Sequence, residues 1–334
     1  MHCPAQNQSA KFNCRRSSEI STVLVTGTLA IDYIASYPGS FARLPDHLGI
    51  NVSTRVENLD RQFGGCAMNI SYSLSKLGHV AIPFVLCGCP LDQSYAQHIR
   101  QAGVDRRGII ELKECRESSH GFIFTDREQN QFTAFYSGPA ESREYESRFR
   151  DFVKLHSDSI DYAILAPDIA RNMISAAECL SRFSIPFISD PGQQVSDFTD
   201  EDCVRLMRLS QFAIGNEFEV NRIRTAVPSL DDSTKGLIVT LGPRGVSWHI
   251  DGETGSERAA HPTRELDPTG CGDAFRAGLV HARLSGASWR DSMRSGGIVA
   301  AISMEYRGSQ NHNLSLYGEK YVREWDDRPT WLTM

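Results

Sequence analysis

Seven strand-sized apolar runs recur along the chain, at 23–25, 81–86, 162–166, 186–189, 212–214, 237–241 and 246–250, with helix-like segments between most of them. Runs this short and this continuously apolar fit strands buried on both faces, as in a mostly parallel sheet covered by helices. Ile70, Leu74 and Leu77 fall at i, i+4 and i+7 before Gly78, the pattern of a helix with one buried face and a glycine stop. The expectation is an α/β fold built on a doubly wound, mostly parallel sheet flanked by helices.

Two segments break the rhythm. Residues 37–62 carry Pro38, Pro45 and mixed polar and apolar alternation, and residues 108–136 hold Gly121-Phe-Ile-Phe-Thr and Gln131-Phe-Thr-Ala-Phe-Tyr around a polar turn at 126–130. The second pattern is that of a hairpin, and together the two segments predict a small β-sheet lid. The first 21 residues are polar, with Arg15 and Arg16 adjacent and no apolar stretch of signal-peptide length, and read as a disordered tail before one domain over 22–334.

Composition narrows the function classes. At 334 residues with 40% hydrophobic and 23% charged, the chain suits one large α/β domain with an appendage. A formal net charge of -6 with interspersed signs leaves no basic stripe, which argues against a nucleic-acid partner. Apolar stretches are strand-sized, which argues against a membrane. Nine cysteines, at 3, 14, 66, 87, 89, 115, 179, 203 and 271, form no Cys-x-x-Cys pair, and no His-Glu-x-x-His occurs; they read as reduced thiols of a cytoplasmic protein. Small-molecule substrates are the expected partners.

Chemistry concentrates in Asp267-Pro-Thr-Gly-Cys-Gly-Asp-Ala-Phe-Arg-Ala-Gly. A glycine-rich turn there opens into a helix, so the amides of Gly270, Cys271 and Gly272 can converge on an anion that the helix dipole also favours. Asp273 stands beside that nest as a candidate general base. An alcohol between the two could lose its proton and attack a terminal phosphate. The spacing nears Gly-x-Gly-x-x-Gly, but Phe275 fills the third glycine's place and argues against a dinucleotide turn. No Gly-Lys-Ser or Gly-Lys-Thr is present either.

Four further stretches carry candidates, three of them with a structural alternative. Thr26-Gly-Thr-Leu-Ala-Ile-Asp32 places a carboxylate just past the first strand, as a hydroxyl acceptor or as a turn or cap residue. Phe63-Gly-Gly-Cys-Ala-Met-Asn69 brings backbone near a ligand and offers an amide. Gly215-Asn-Glu-Phe-Glu sets Asn216 and Glu219 at i, i+3, able to hold magnesium through waters or to start a helix. Val239-Thr-Leu-Gly-Pro-Arg-Gly245 approaches a nucleotide or joins two strands.

In this order and at these separations, the motifs resemble those of the ribokinase-like, PfkB-type sugar and nucleoside kinases, over nearly the whole stretch from Val23 to Gly308-Ser-Gln-Asn-His. Longer strings are similar to bacterial-type adenosine kinases: Gln129-Asn-Gln-Phe-Thr-Ala-Phe-Tyr-Ser-Gly, Asp190-Pro-Gly-Gln-Gln and Glu305-Tyr-Arg-Gly-Ser-Gln-Asn, besides those around Asp32 and Asp273. The resemblance implies ATP- and Mg2+-dependent phosphorylation of the adenosine 5′-hydroxyl to AMP, with another nucleoside or a free sugar such as ribose as the alternative acceptor. Carried across by position, Asp273 is the base and Gly270, Cys271 and Gly272 the anion hole. Thr28, Asp32, Gly65 and Asn69 hold the ribose. Phe122 and Phe135 sandwich the purine, with Gln193 and Gln194 at its polar edge. Asn216 and Glu219 position magnesium and phosphates, and Thr240, Gly242 and Gly245 line the ATP site. Met68 departs from the small residue usual beside the sugar, and Pro268 from the wider family's threonine. Subunit number is open, a homodimer being one option.

Overall fold

All seven apolar runs form strands of one sheet in the computed structural model, which describes residues 20–43, 53–128, 130–210, 212–228, 236–250 and 252–332. They are β1 (Thr22–Thr26), β4 (Val80–Gly88), β8 (Tyr162–Leu165), β9 (Phe187–Ser189), β10 (Phe212–Asn216), β11 (Gly236–Thr240) and β12 (Val246–Ile250), joined by β5 (Ile109–Leu112) and β13 (Glu253–Glu257). The order across the sheet is β13-β12-β11-β10-β9-β8-β1-β4-β5. Neighbouring strands from β11 to β5 in that order pair in parallel, and only the β11–β12 and β12–β13 pairs are antiparallel.

Both faces of the sheet are covered, which is why its strands read as unbroken apolar runs. Val23 and Val25 enter one buried cluster with Ile70, Ile164 and Ile214, while Leu24 between them enters another with Phe84, Phe149 and Leu237. The covering helices are α1 (Cys66–Lys76), α2 (Gln93–Ala102), α3 (Tyr145–His156), α4 (Ala170–Arg182), α5 (Asp200–Leu209), α6 (Glu217–Ala226), α7 (Cys271–Leu284), α8 (Trp289–Ser303) and α9 (Tyr317–Trp325). The helix expected at 70–77 is α1. Among the described residues no helix is long and apolar enough to cross a membrane.

A second, four-stranded sheet has the order β3-β2-β6-β7, from β2 (Ala30–Ser36), β3 (Glu57–Gly64), β6 (Ser119–Thr125) and β7 (Gln131–Tyr136). The expected hairpin is β6–β7. The boundaries expected for the small sheet need correction. It begins at Ala30, because β2 pairs in parallel with β6 over its whole length, whereas 109–112 pair with β4 in the large sheet. Asp32 therefore sits inside β2 and not in a turn after β1. The expected tail up to residue 19 and residues 44–52 of the first lid segment lie outside the described residues.

Candidate active site

Parallel strands end together, and the chain leaves their ends with polar residues. Asn216 at the end of β10 lies in register with Thr240 at the end of β11, and Leu165 of β8 with Ser189, which precedes Asp190. Because β1 has β4 on one side and β8 on the other, connections diverge there, which makes this carboxyl edge the place where an open α/β sheet binds a ligand. Arg276, one turn into α7, forms a buried ion pair with Asp190 and so brings the start of α7 to this edge.

Asp273 occupies the first turn of α7 and is 9% exposed. Asn69 of α1 donates from Nδ2 to Asp273 Oδ2 at 2.8 Å. Burial pushes the Asp273 carboxyl up to about 6, against the lowering effects of the Asn69 bond, the Arg276 charge and the Cys66 thiol, and with Asp190 adding to the rise. The result is a carboxylate at neutral pH with a proton affinity well above that of a free aspartate, suited to taking a proton.

Gly270 caps α7 in the left-handed conformation (φ 75°, ψ 4°), which a glycine adopts without steric penalty. Of the three amides expected in the nest, that of Cys271 is taken by the Pro268 carbonyl at 3.2 Å. No oxygen among the described residues accepts from Gly270, Gly272 or Asp273, so the free set is shifted one residue along the chain from the expected one. Asp267 fixes the loop from below, accepting from Thr269 N and Gly308 N at 2.9 Å each.

Asp32 faces this region from β2. Its register partners Gln62 and Gly121 share its face, and a Cβ at Gly121 would lie only 2.5 Å from Asp32 Oδ1, so the glycine makes room for the carboxylate. A side chain at Gly64 would collide with the other oxygen. Burial raises the Asp32 carboxyl to about 6, with His120 partly offsetting. It has no hydrogen-bond partner among the described residues, which leaves both oxygens able to accept. Thr28 lies half-buried in the turn between β1 and β2, whose carbonyl approaches Gly65 too closely for any side chain there.

Other expected site residues are placed differently. Asn69 is 6% exposed and engaged by protein: besides its bond to Asp273, its Oδ1 accepts from Ser309 Oγ at 2.8 Å and from Gln310 Nε2 at 2.9 Å. Its amide is engaged with Asp273, Ser309 and Gln310 rather than lying open as the expected ribose ligand. Phe122 and Phe135 do not form a sandwich. Phe135 is opposite Gly121 and Phe122 opposite Ala134, so alternation puts the two rings on opposite faces of the sheet. Phe135 shares the Asp32 face, whereas Phe122 stacks on Tyr33 with centroids 5.6 Å apart. Gln193 is exposed and Gln194 half-buried in the short helical turn after Asp190. Met68 is 1% exposed in the core, so its bulk is not presented to a sugar.

Asn216 and Glu219 form the capping box of α6: Asn216 Oδ1 accepts from Glu219 N at 2.9 Å and Glu219 Oε2 from Asn216 N at 2.7 Å. Glu219 is 4% exposed, and burial, with Asp190 nearby, raises its carboxyl against the pull of the Asn216 amide and Arg276. Thr240 Oγ1 donates to the Gly215 carbonyl at 3.4 Å. Gly242 faces open space, but Gly245 is explained by close contact with the backbone leaving β13. Three residues went without a role in the sequence reading: Arg276, whose Nη1 donates to the Gly272 carbonyl at 2.8 Å, its partner Asp190, and Gln310. A basic side chain one turn beyond Asp273, at i+3 on the same helix face, was the available signal for Arg276.

A sequence profile of the pfkB family carbohydrate kinases matches residues 21–315. A nucleoside kinase of Methanothermobacter thermautotrophicus is 26% identical over 321 residues, covering 93% of this chain and 99% of that protein. The structure of Burkholderia thailandensis nucleoside kinase in complex with inosine superposes with a TM-score of 0.81 at 29% identity, over 92% of this chain and 99% of that one. Its complex with ADP-inosine gives 0.80 at the same 29% identity, over 93% and 98%.

Proposed function

The chain belongs to the pfkB family of carbohydrate kinases, and from that premise we propose that it transfers the γ-phosphoryl group of ATP to the 5′-hydroxyl of a purine nucleoside. Adenosine is the acceptor favoured by the strings shared with bacterial-type adenosine kinases, and inosine, bound by the Burkholderia relative, is the one to set against it. The observation that carries the reading is Asp273, buried, raised to about 6 and standing beside the Gly270, Gly272 and Asp273 amides, from which no oxygen among the described residues accepts.

Asp273 takes the hydroxyl proton as the alcohol oxygen bonds to the γ-phosphorus, and the bond from that phosphorus to the β-γ bridging oxygen breaks to release ADP. The amides of Gly270, Gly272 and Asp273 meet the charge on the transferring group, and the α7 dipole adds to them. Asp32 accepts from the ribose hydroxyls and Phe135 offers the base a flat face, which a free sugar lacks. Thr240 and Gly242 line the ATP side. Asn216 and Glu219 fit a magnesium ion reached through waters: the capping box uses only Oε2 of Glu219, and Oε1 has no hydrogen-bond partner among the described residues. Magnesium would supply neutralising charge for the phosphates. The second sheet, carrying Asp32 and Phe135, serves as the lid that excludes water.

A panel of adenosine, inosine, guanosine, cytidine and ribose with ATP and magnesium, read as kcat/KM for ADP release, tests the reading. A purine nucleoside leading the panel supports it; ribose leading would replace it with a sugar kinase.

A further inference from the structure

The carbonyl of Gly64, at the end of β3, can only accept a hydrogen bond. Tyr95 of α2, fully buried, donates its hydroxyl to that oxygen at 2.6 Å, so whatever else meets Tyr95 Oη must be a donor. Gln310, 3% exposed, provides one: its Nε2 lies 2.9 Å from Tyr95 Oη and 2.9 Å from Asn69 Oδ1, with a longer 3.4 Å approach to Gly64 O. Both hydrogens of that amide are thereby used. The Asn69 oxygen is turned toward Gln310 and Ser309, and its nitrogen is left to donate to Asp273. One backbone acceptor sets the polarity of every bond in the run, since turning over any amide would put two acceptors face to face.

We propose that Gln310 is a positioning residue: it fixes the Asn69 amide so that an N–H, and not a carbonyl, meets Asp273, and so ties the base to Gly64 at the end of a small-sheet strand. The proposal rests on reading Asp273 as the base. Gln310 touches no group assigned to substrate. The other groups facing Asp273 are Cys66 of α1, Cys271 and Arg276 of α7 and Asp190 after β9, none of which bonds to Gln310; His98 of α2 is the titratable group that meets Gln310 itself.

Removing the Gln310 donor leaves Ser309 Oγ to hold the Asn69 oxygen and loosens the amide, so its N–H meets the carboxylate less firmly, which disfavours the ionised form. The acid limb of kcat/KM then moves up by about one pH unit, with roughly tenfold lost below that limb and little lost at pH 8. Gln310→Leu and Tyr95→Phe test this in two ways: the pH profile of kcat/KM with adenosine, and the titration of the Asp273 carboxyl followed by 13C NMR without ATP or nucleoside, the signal assigned by its loss in Asp273→Asn. Upward movement in both readouts, larger for Gln310→Leu, is the expected result. A folded Gln310→Leu protein whose carboxyl titrates where the parent's does overturns the proposal. Should Gln310→Leu fail to fold, the Tyr95→Phe titration decides, an unmoved midpoint again overturning it. If the parent phosphorylates neither nucleoside nor ribose, the kinase reading fails while the carboxyl titration still judges the Gln310 assignment.

Discussion

Asn69 Nδ2 donates to Asp273 Oδ2 at 2.8 Å across 204 residues of sequence, joining the first turns of two helices that begin after glycines. The bond, with the Cys66 thiol as a second contact, holds the carboxylate in place at the start of α7. If Asp273 is the base, as proposed, it is already oriented for the reaction.

Asp273→Asn keeps the shape of the side chain and removes the proton acceptor. Turnover with adenosine should fall by about 10²-fold or more, while ATP binding changes little. Steady-state kinetics with an independent nucleotide-binding measurement check this; near-parental turnover would remove Asp273 from the chemistry.

The same substitution should stabilise the protein at neutral pH. The folded carboxyl titrates at about 6 against 3.8 for an unperturbed aspartate, so the folded state holds more protons between about pH 4 and 6. Stability contributed by this group is therefore lost as pH rises through that window, and the penalty is complete above it. At 1.36 kcal/mol per unit, relief is about 3 kcal/mol at most. Melting temperatures of parent and Asp273→Asn should coincide near pH 4 and separate in favour of the variant at pH 7.5.

Asp32→Ala should raise the KM for nucleoside at least tenfold with a smaller effect on ATP, as expected for loss of hydrogen bonds to a charged acceptor at about 1.5–3 kcal/mol. Gly121→Ala, which puts a methyl 2.5 Å from Asp32 Oδ1, should reproduce the defect by displacing the carboxylate. A parental nucleoside KM in both variants would take Asp32 out of the binding site.

Arg276 and Asp190 form an ion pair with exposures of 7% and 1%. Arg276→Met strands a buried carboxylate and should destabilise by about 3–5 kcal/mol, whereas adding Asp190→Asn should recover much of that. Activity should stay low in the double variant, since the donor to Gly272 O that steadies the amide nest is gone. Denaturant unfolding beside turnover separates the two effects.

How much of this was legible in the sequence follows from where the information lies. Asp273 and its nest were readable because a glycine turn, a helix start and a carboxylate are contiguous, and the αL glycine carries its own geometry. Asp32 was misplaced in a turn after β1, since only residues 27–29 separate β1 from β2 and 30–36 gave no apolar run of their own. The bonds from Gln310 to Tyr95 and Asn69 span 215 and 241 residues and have no local pattern to betray them. The faces of Phe122 and Phe135 depend on hairpin register, and a slip of one residue would bring both rings onto the same face.

That register yields the sharpest contrast between expectation and structure. Phe135 and Phe122 are similarly exposed, at 43% and 40%, so neither ring is core and truncation of either should leave the fold standing. They differ in face: Phe135 is aligned with Gly121 and Asp32, and Phe122 with Tyr33. If the purine lies on the Asp32 face, Phe135→Ala should weaken nucleoside binding by roughly 1–3 kcal/mol, the range for a base losing an aromatic platform. Phe122→Ala should leave the nucleoside KM within about twofold, because the ring it loses stacks on protein and points away from Asp32. Measuring KM for adenosine and for ribose in both variants completes the test, as a ring that stacks on the base alters the first and not the second. Equal effects of the two substitutions on adenosine would mean that the purine is not held on that face of the sheet.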